Sequence, residues 1–160
     1  MTVSVLFVCL GNICRSPTAE AVFRQRAAAA GLLAQLRIDS AGTGDWHIGK
    51  APDPRSGEAA GQRGYDLSAL RARQVATTDF QHFDYVLAMD HANLHDLQAM
   101  RPDGFSGHLG LFMAFHPGPA PTEVPDPYYG GRDGFNTVLD LVEGACDGLL
   151  AHLRREHGLG

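Results

Sequence analysis

A cysteine and an arginine near the start of the chain are spaced so that both could act on one phosphate group. Cys9 carries a thiol that can serve as a nucleophile, and Arg15 carries a planar guanidinium that can bind two phosphoryl oxygens at once. A loop that curls back between them would bring both groups to the same tetrahedral anion. The positive surroundings of such a loop favour the thiolate, which is the nucleophilic form of cysteine. The spacing therefore indicates phosphoryl transfer through a cysteine.

The segments on either side of this pair predict a strand, a tight turn and a helix. The apolar run Val5–Val8 is typical of a parallel strand that is buried on both faces. Ser16 followed by Pro17 predicts a helix N-cap and the first helical position. Gly11 and Asn12 readily adopt the left-handed backbone angles that a tight loop needs. The loop amides and the positive helix end would then face one small volume, which favours an anion. The alternative is an ordinary turn with two core cysteines.

The rest of the chain predicts alternating strands and helices. The further predicted strands are residues 36–41, 84–89 and 109–112, and the further predicted helices are residues 54–63, 77–81, 90–100 and 134–156. This alternation predicts a parallel sheet with right-handed crossovers. We therefore expect one α/β domain over residues 1–160, with a four-stranded parallel sheet in the order 2-1-3-4 and helices on both faces. In this flavodoxin-like or Rossmann-like three-layer sandwich, ligands bind where the first strand ends.

Composition limits the classes of function. The 160 residues are 44% hydrophobic and 19% charged, which is ordinary for a soluble globular protein. The net charge of −5 argues against nucleic acid or an anionic membrane as a partner. No run has transmembrane length, and there is no signal-like start. Three cysteines, two of them in the loop, favour a cytoplasmic location. No spacing resembles a zinc site, so we expect no metal and no cofactor. We expect a monomer, with a weak dimer as the alternative.

The loop and several later blocks also carry a family resemblance. The loop that resembles the signature of the low-molecular-weight protein tyrosine phosphatases is Cys9-Leu10-Gly11-Asn12-Ile13-Cys14-Arg15-Ser16-Pro17. The later blocks, in the family's order, are Ser40-Ala41-Gly42-Thr43, Trp46-His47-Ile48-Gly49, Asp53-Pro54-Arg55, Ala72-Arg73-Gln74, Leu87-Ala88-Met89-Asp90 and Asp126-Pro127-Tyr128-Tyr129. The resemblance spans nearly the whole chain. It implies the same sheet order and a hydrolase that removes phosphate from phosphotyrosine-containing proteins and aryl phosphates through a cysteinyl-phosphate.

The leaving oxygen of such a substrate needs a proton, and Asp126 is the candidate donor. It lies on a proline-rich segment beside two aromatic residues. By resemblance, it protonates the leaving group and afterwards activates the water that hydrolyses the intermediate. A positioned general acid typically contributes about 10²–10⁴ in rate. The alternative is that Asp126 only forms a turn before Pro127.

Aromatic residues are expected to shape the substrate pocket. The only tryptophan, Trp46, stands in a polar, glycine-rich segment, which favours a cleft wall over a core position. Trp46 and Tyr128 would flank the aryl group, with Leu10 and Ile13 at the rim and Tyr129 near the mouth. A deep aromatic slot favours phosphotyrosine, because the shorter phosphoserine cannot carry its phosphate to the floor.

Other residues are expected to support the loop. Ser16 can donate a hydrogen bond to the Cys9 sulfur, and by resemblance Asn12 and Ser40 hydrogen-bond to hold the loop in shape. Many family members carry a histidine two residues before Ala-Arg-Gln, where this chain has Leu70. One support is therefore missing or replaced. Three further charged residues from the family blocks are expected to form caps and ion pairs: Asp53, Arg73 and Asp90.

The two remaining cysteines are assigned different roles. Cys14 lies in the same loop as Cys9, where a disulfide could form. We hypothesise that Cys14 resolves the sulfenic acid of an oxidised Cys9, as the resemblance supports. The alternative is that Cys14 only packs under the start of the helix. Cys146 falls on the apolar stripe of the last helix and is expected to be a buried core thiol.

Three rival functions fit the same loop less well. An arsenate reductase of this fold passes electrons along further cysteines, whereas this chain adds only the late Cys146. Protein-arginine phosphatases of the family tend to have threonine at the position of Ile13. A non-catalytic phosphate-binding module would be expected to lack Cys9, Arg15 or Asp126. We therefore predict a protein tyrosine phosphatase.

Overall fold

The first strand of the chain is an inner strand of a four-stranded parallel sheet. The computed structural model describes residues 2–128 and 130–160, except for the side chain of Arg132. The strands are β1 Val3–Cys9, β2 Leu36–Gly42, β3 Tyr85–Ala88 and β4 His108–Leu111. They are parallel and lie in the order β2-β1-β3-β4, which confirms the predicted topology. Because β1 is central, its carboxyl end lies between the ends of β2 and β3.

Helices connect the strands. They are α1 Arg15–Ala29, α2 Pro54–Gly61, α3 Asp79–His82, α4 His91–Met100 and α5 Arg132–His157, and 3₁₀ turns occupy Leu33–Gln35 and Phe112–Phe115. Neither 3₁₀ turn was predicted, and β4 begins and ends one residue earlier than expected. Among the described residues, no helix combines the length and the apolar character needed to cross a membrane.

The two faces of β1 contribute to separate apolar clusters, as expected for a strand with a run of apolar residues. On one face Phe7 packs edge-on against Phe23 of α1 and Phe112, with ring centroids 5.7 and 5.1 Å apart. On the other face Leu6 and Val8 join a second cluster of buried residues. Burial of such side chains stabilises the fold by about 1.5–3 kcal/mol each. Cys146 is fully buried in the first cluster, which confirms that it is a core thiol.

The start of α1 differs from the prediction. The helix begins at Arg15, and its N-cap residue is Cys14, which makes no side-chain capping hydrogen bond. Ser16 is therefore inside the helix, and the prediction that it is the N-cap is wrong. Its hydroxyl lies 3.0 Å from the Cys9 sulfur instead. Pro17 is the third helical residue and not the first as predicted, but it still lies within the first turn, where its missing N–H has no intrahelical partner to lose.

Other local predictions are confirmed. Asp53 caps α2 by accepting from the Arg55 N–H at 2.9 Å, and Asp90 caps α4 by accepting from the Asn93 N–H at 2.7 Å. Residues 116–127 have no regular secondary structure, as five prolines predicted. This irregular segment returns to the sheet at Val124, whose N–H donates to the Met89 carbonyl at 2.8 Å.

Candidate active site

The loop after β1 curls around the Cys9 sulfur. Cys9 is the last residue of β1 and is buried. The backbone N–H of Asn12 points back to the Cys9 Sγ at 3.3 Å, and the Ser16 Oγ lies 3.0 Å from the same sulfur. Asn12 has a φ of 55°, in the left-handed region that asparagine tolerates better than most residues. The tight turn expected from Gly11 and Asn12 is therefore centred on Asn12.

The side chain of Asn12 holds the loop from beneath. Its Nδ2 donates to the Ser16 Oγ at 2.8 Å and to the Ser40 Oγ at 3.0 Å, and its Oδ1 accepts from the Arg73 N–H at 3.0 Å. The Ser40 hydroxyl donates in turn to the Glu20 Oε1 at 2.7 Å. The bond between Asn12 and Ser40 that the resemblance implied is present.

Glu20 closes this network in the interior. Burial raises the pKa of Glu20, although hydrogen bonds from Ser40 and Arg24 act in the opposite direction. Arg24 approaches the Glu20 carboxylate at 2.9 Å. Leu70, at the position of the family's histidine, instead packs partly buried against the main apolar cluster. The Leu70 side chain has no polar group to join the network, and the Asn12 oxygen accepts from the backbone N–H of Arg73.

Gly42, the last residue of β2, lets the two chain segments approach closely. A Cβ at this position would lie 2.7 Å from the Leu10 carbonyl oxygen and 3.1 Å from the Asn12 nitrogen. The next residue, Thr43, donates its N–H to the Cys9 carbonyl at 2.9 Å. The end of β2 therefore fixes the backbone of the loop on one side.

Arg15 is buried, and only one end of its guanidinium is hydrogen-bonded. Its Nη1 donates to the Asp90 Oδ2 at 2.6 Å and to the Val124 carbonyl at 3.1 Å. Its Nε has no hydrogen-bond partner among the described residues, and its Nη2 lies 3.6 Å from the Asp126 Oδ2. Nε and Nη2 lie on the same edge of the guanidinium, and together they can donate hydrogen bonds to two oxygens of one anion. Burial alone would lower the pKa of Arg15, but the Cys9, Asp90 and Asp126 charges outweigh it and raise that pKa.

A cavity of about 370 Å³ opens over this loop. It is lined by Cys9, Leu10, Gly11, Ile13, Cys14, Arg15, Trp46, His47, Asp126 and Tyr128. Nine of these ten residues were predicted, and His47 was not, although it stands next to Trp46 in the sequence. The side chains of Asn12 and Ser16 lie behind the loop rather than in the cavity. Tyr129, predicted near the mouth, lies outside the described residues.

Asp126 lines the same cavity from the irregular segment. Its side chain is 35% exposed, and its Oδ1 accepts from the Tyr128 N–H at 3.0 Å. Trp46 is 64% exposed and Tyr128 is 38% exposed, so both present apolar surface at the opening. A nucleophile, a buried cation, a carboxylate and two aromatic walls therefore meet in one cavity.

Comparison with known proteins decides the family. The family model described as low molecular weight phosphotyrosine protein phosphatase matches residues 4–158. The chain belongs to this family. A phosphatase of this type from Schizosaccharomyces pombe is 49% identical, covering 88% of this chain and 91% of its own length. A Streptomyces coelicolor low molecular weight protein-tyrosine-phosphatase is 46% identical, covering 98% and 96%. The crystal structure of an Entamoeba histolytica protein tyrosine phosphatase matches with a TM-score of 0.92 and 40% identity, covering 98% and 99%.

The chain is thus a low-molecular-weight protein tyrosine phosphatase, as the loop and the later blocks predicted. The arsenate reductase and protein-arginine phosphatase readings are not favoured by these comparisons. Among the described residues of the phosphatase, no group of three His, Cys, Asp or Glu side chains is arranged to hold a metal ion.

Asp90 forms an ion pair, as expected, but its partner, Arg15, was not predicted. It caps α4, as predicted, and it also pairs with Arg15 at 2.6 Å. The sequence held a signal for this pair, because Asp90 follows β3, and β3 is the neighbour of β1 in the predicted order. The carboxyl ends of neighbouring parallel strands meet at one edge of the sheet. In the phosphatase this carboxylate fixes the far end of the guanidinium.

Cys14 is buried under the loop, packed among Ile13, Ala72 and Phe135. Burial raises its pKa to about 12, and nearby carboxylates and Cys9 add to this rise, although the neighbouring Ser56 hydroxyl opposes it. At neutral pH Cys14 is therefore a neutral thiol. Cys9 and Cys14 are both free. The packing expected if Cys14 has only a structural role is present, and its role in resolving an oxidised Cys9 stays a prediction.

Proposed function

We propose that this phosphatase, with residues 1–160 as one catalytic domain, hydrolyses phosphotyrosine in proteins through a cysteinyl-phosphate on Cys9. The observation that carries the proposal is the state of Arg15. Its guanidinium is buried beside the Cys9 loop, with Nη1 held by Asp90 and with no partner for Nε among the described residues. A buried donor without a partner costs about 1–3 kcal/mol. A phosphoryl group supplies the acceptor.

The first step transfers the phosphoryl group to the enzyme. The Cys9 thiolate attacks phosphorus, and the bond between phosphorus and the phenolic oxygen breaks. Asp126, in its protonated form, gives its proton to that oxygen. Arg15 binds two phosphoryl oxygens through Nε and Nη2, where charge is concentrated in the transition state. The products of this step are the phenol and the cysteinyl-phosphate.

The second step returns the enzyme to its starting state. Asp126 is now a carboxylate and takes a proton from the water that attacks phosphorus. The bond between phosphorus and the Cys9 sulfur breaks, and inorganic phosphate is released. The Ser16 hydroxyl, 3.0 Å from that sulfur, donates to the departing thiolate. One carboxylate therefore serves as acid and then as base.

Phosphotyrosine is favoured by the shape of the cavity. Trp46 and Tyr128 stand at the opening, while Cys9 and Arg15 are buried below them. A phenyl ring can occupy the apolar part and place its phosphate on the loop. Tyr129 is proposed to add to the mouth. We also propose a cytoplasmic location on the basis of the three free cysteines, and no nucleic-acid or membrane partner on the basis of the net charge of −5. The monomeric state and the absence of a cofactor stay predictions.

Asp126→Asn tests the acid role with a series of aryl phosphates. The variant should lose about 10²–10⁴ in kcat/KM, which reports the first step, on leaving groups as basic as tyrosine, and far less on acidic ones such as p-nitrophenol. A plot of kcat/KM against leaving-group pKa should therefore be steep for the variant and shallow for the wild type. Asp103→Asn, at an exposed loop carboxylate, is the matched control. Equal slopes would mean that another group protonates the leaving oxygen.

The substrate class needs a separate measurement. We expect kcat/KM to be highest for phosphotyrosine peptides and much lower for phosphoserine and phosphoarginine peptides of the same sequence. A preference for phosphoarginine would contradict the proposed substrate while leaving the cysteine mechanism intact.

A further inference from the structure

Arg55 connects helix α2 to the segment that carries Asp126. Its Nη2 donates to the Tyr128 carbonyl oxygen at 3.0 Å. Its guanidinium carbon also lies 5.5 Å from the centre of the Tyr128 ring and 4.8 Å from the centre of the Phe135 ring. These distances allow cation–π attraction to both rings. Arg55 therefore holds both the backbone and the ring of Tyr128.

Asp53 fixes the orientation of Arg55. The Asp53 carboxylate accepts from the Arg55 Nε at 3.1 Å and from its Nη2 at 2.9 Å. The pKa of Asp53 is lowered, mainly by this side-chain hydrogen bonding. Asp53 is buried, and its own N–H donates to the Ile13 carbonyl oxygen at 2.8 Å. One connected set of contacts thus runs from Ile13 in the phosphate loop to Tyr128 in the acid segment.

Asp126 lies between two anchors of an otherwise irregular segment. On the amino side, Val124 accepts from Arg15 at 3.1 Å and donates to Met89 at 2.8 Å. On the carboxyl side, Tyr128 is held by Arg55, and the Tyr128 N–H donates to the Asp126 Oδ1 at 3.0 Å. Loss of the second anchor would remove the Arg55 contacts of the residue that hydrogen-bonds the carboxylate.

We infer that Arg55 is a positioning residue for the general acid. It holds Tyr128 against α2, and through the Tyr128 N–H it fixes the Asp126 carboxylate relative to Cys9. The inference rests on the proposed role of Asp126. Arg55 is not among the residues that line the 370 Å³ cavity, so it acts through Tyr128 and Asp126 and not by touching the phosphate.

Arg55→Met tests this role because it keeps a long unbranched side chain and removes the charge and all donors. We expect roughly a 10-fold loss of kcat/KM, which reports the first step, on phosphotyrosine, since small misplacements of a catalytic group are costly. On p-nitrophenyl phosphate, whose leaving group needs little protonation, the loss should be less than about twofold. Arg55→Lys keeps the positive charge and one donor group, and it should recover part of the loss.

Arg63→Met is the matched control. Arg63 also pairs with carboxylates, Asp140 at 2.8 Å and Glu143 at 2.7 Å, and it contacts the backbone carbonyl of Asn136 at 3.4 Å. It links the region after α2 to α5 without contacting Asp126 or Tyr128. This variant should keep wild-type rates on every leaving group.

Two further measurements separate positioning from general damage. The inhibition constant for inorganic phosphate should stay within about twofold of wild type in Arg55→Met, because phosphate binds to the loop and not to Asp126. When Arg55→Met is added to Asp126→Asn, the dependence of kcat/KM on leaving-group pKa should not change further, because no acid is left to position.

Equal losses of kcat/KM on all leaving groups, or no loss on any, would overturn the inference. The proposed function would survive that result if Asp126→Asn alone still gave a steep plot of kcat/KM against leaving-group pKa. If Asp126→Asn itself gave the wild-type slope, the acid assignment would fail as well. The same set of substrates therefore distinguishes the two failures.

Discussion

Asn12 makes two separable contributions to the phosphate loop, and two substitutions measure each of them. Its side chain forms hydrogen bonds of 2.8, 3.0 and 3.0 Å with Ser16, Ser40 and Arg73. Its backbone has a φ of 55°. Glycine at this position would remove the hydrogen bonds and keep the backbone conformation accessible. Alanine would remove the same bonds and add the strain of a left-handed backbone.

The structure gives a magnitude for each substitution. Three hydrogen bonds, two of them buried and one partly buried, at about 1 kcal/mol each amount to about 3 kcal/mol for Asn12→Gly. The left-handed conformation costs an alanine about 1 kcal/mol more than a glycine, so Asn12→Ala should lose about 4 kcal/mol. Both variants should also lose activity, because Asn12 holds the loop that surrounds Cys9.

Urea unfolding of both variants and the wild type provides the test, with kcat/KM on p-nitrophenyl phosphate as the second readout. Asn136→Ala is the matched control, because Asn136 is exposed on α5, and its free energy of unfolding should change by less than about 0.5 kcal/mol. Variants within about 1 kcal/mol of wild type would refute the hydrogen-bond account. An alanine variant more stable than the glycine variant would refute the backbone account.

Three further predictions concern the residues around this loop. Arg15→Lys should lower kcat on p-nitrophenyl phosphate by at least about 100-fold, because an ammonium cannot replace the Nε–Nη2 fork, and a near-wild-type rate would contradict that role. After peroxide treatment, dithiothreitol should restore the wild type well and Cys14→Ser poorly, whereas equal recovery would reduce Cys14 to packing. Burial raises the pKa of Glu20 above its ordinary value of 4.5, so the stability contributed by its protonated form is lost as pH rises from about 4.5 through the folded-state pKa. The unfolding free energy of Glu20→Gln relative to wild type should therefore increase over that range in urea titrations, and a pH-independent difference would contradict the shift.

Much of the fold was predictable because local sequence and topology agree. The apolar run of β1 requires cover on both faces, and the helix and strand signals that alternate after it leave few arrangements for a parallel sheet. Asp53 and Asp90 were identified as caps because an N-cap depends on adjacent residues. The nucleophile and its arginine were identifiable for the same reason, since one short loop holds both.

Contacts between distant segments were not predictable in this way. Ser16 has the sequence of an N-cap, but its hydroxyl is taken by Cys9 and Asn12, which the turn brings beneath it. The pair of Arg15 with Asp90 and the contact of Arg55 with Tyr128 join residues 75 and 73 positions apart. Such contacts depend on where strand ends and loops meet in space, and the pattern of each segment alone does not specify them.

The central claim is that Cys9 carries the phosphoryl group during turnover. Asp126→Asn should form the cysteinyl-phosphate quickly from p-nitrophenyl phosphate, whose leaving group needs little protonation, and hydrolyse it slowly without a base. Rapid quenching of this variant, followed by mass spectrometry of its peptides, should find phosphate on Cys9, and Cys9→Ser should carry none. Phosphate on another residue, or turnover with no phosphorylated enzyme at any time, would contradict the account.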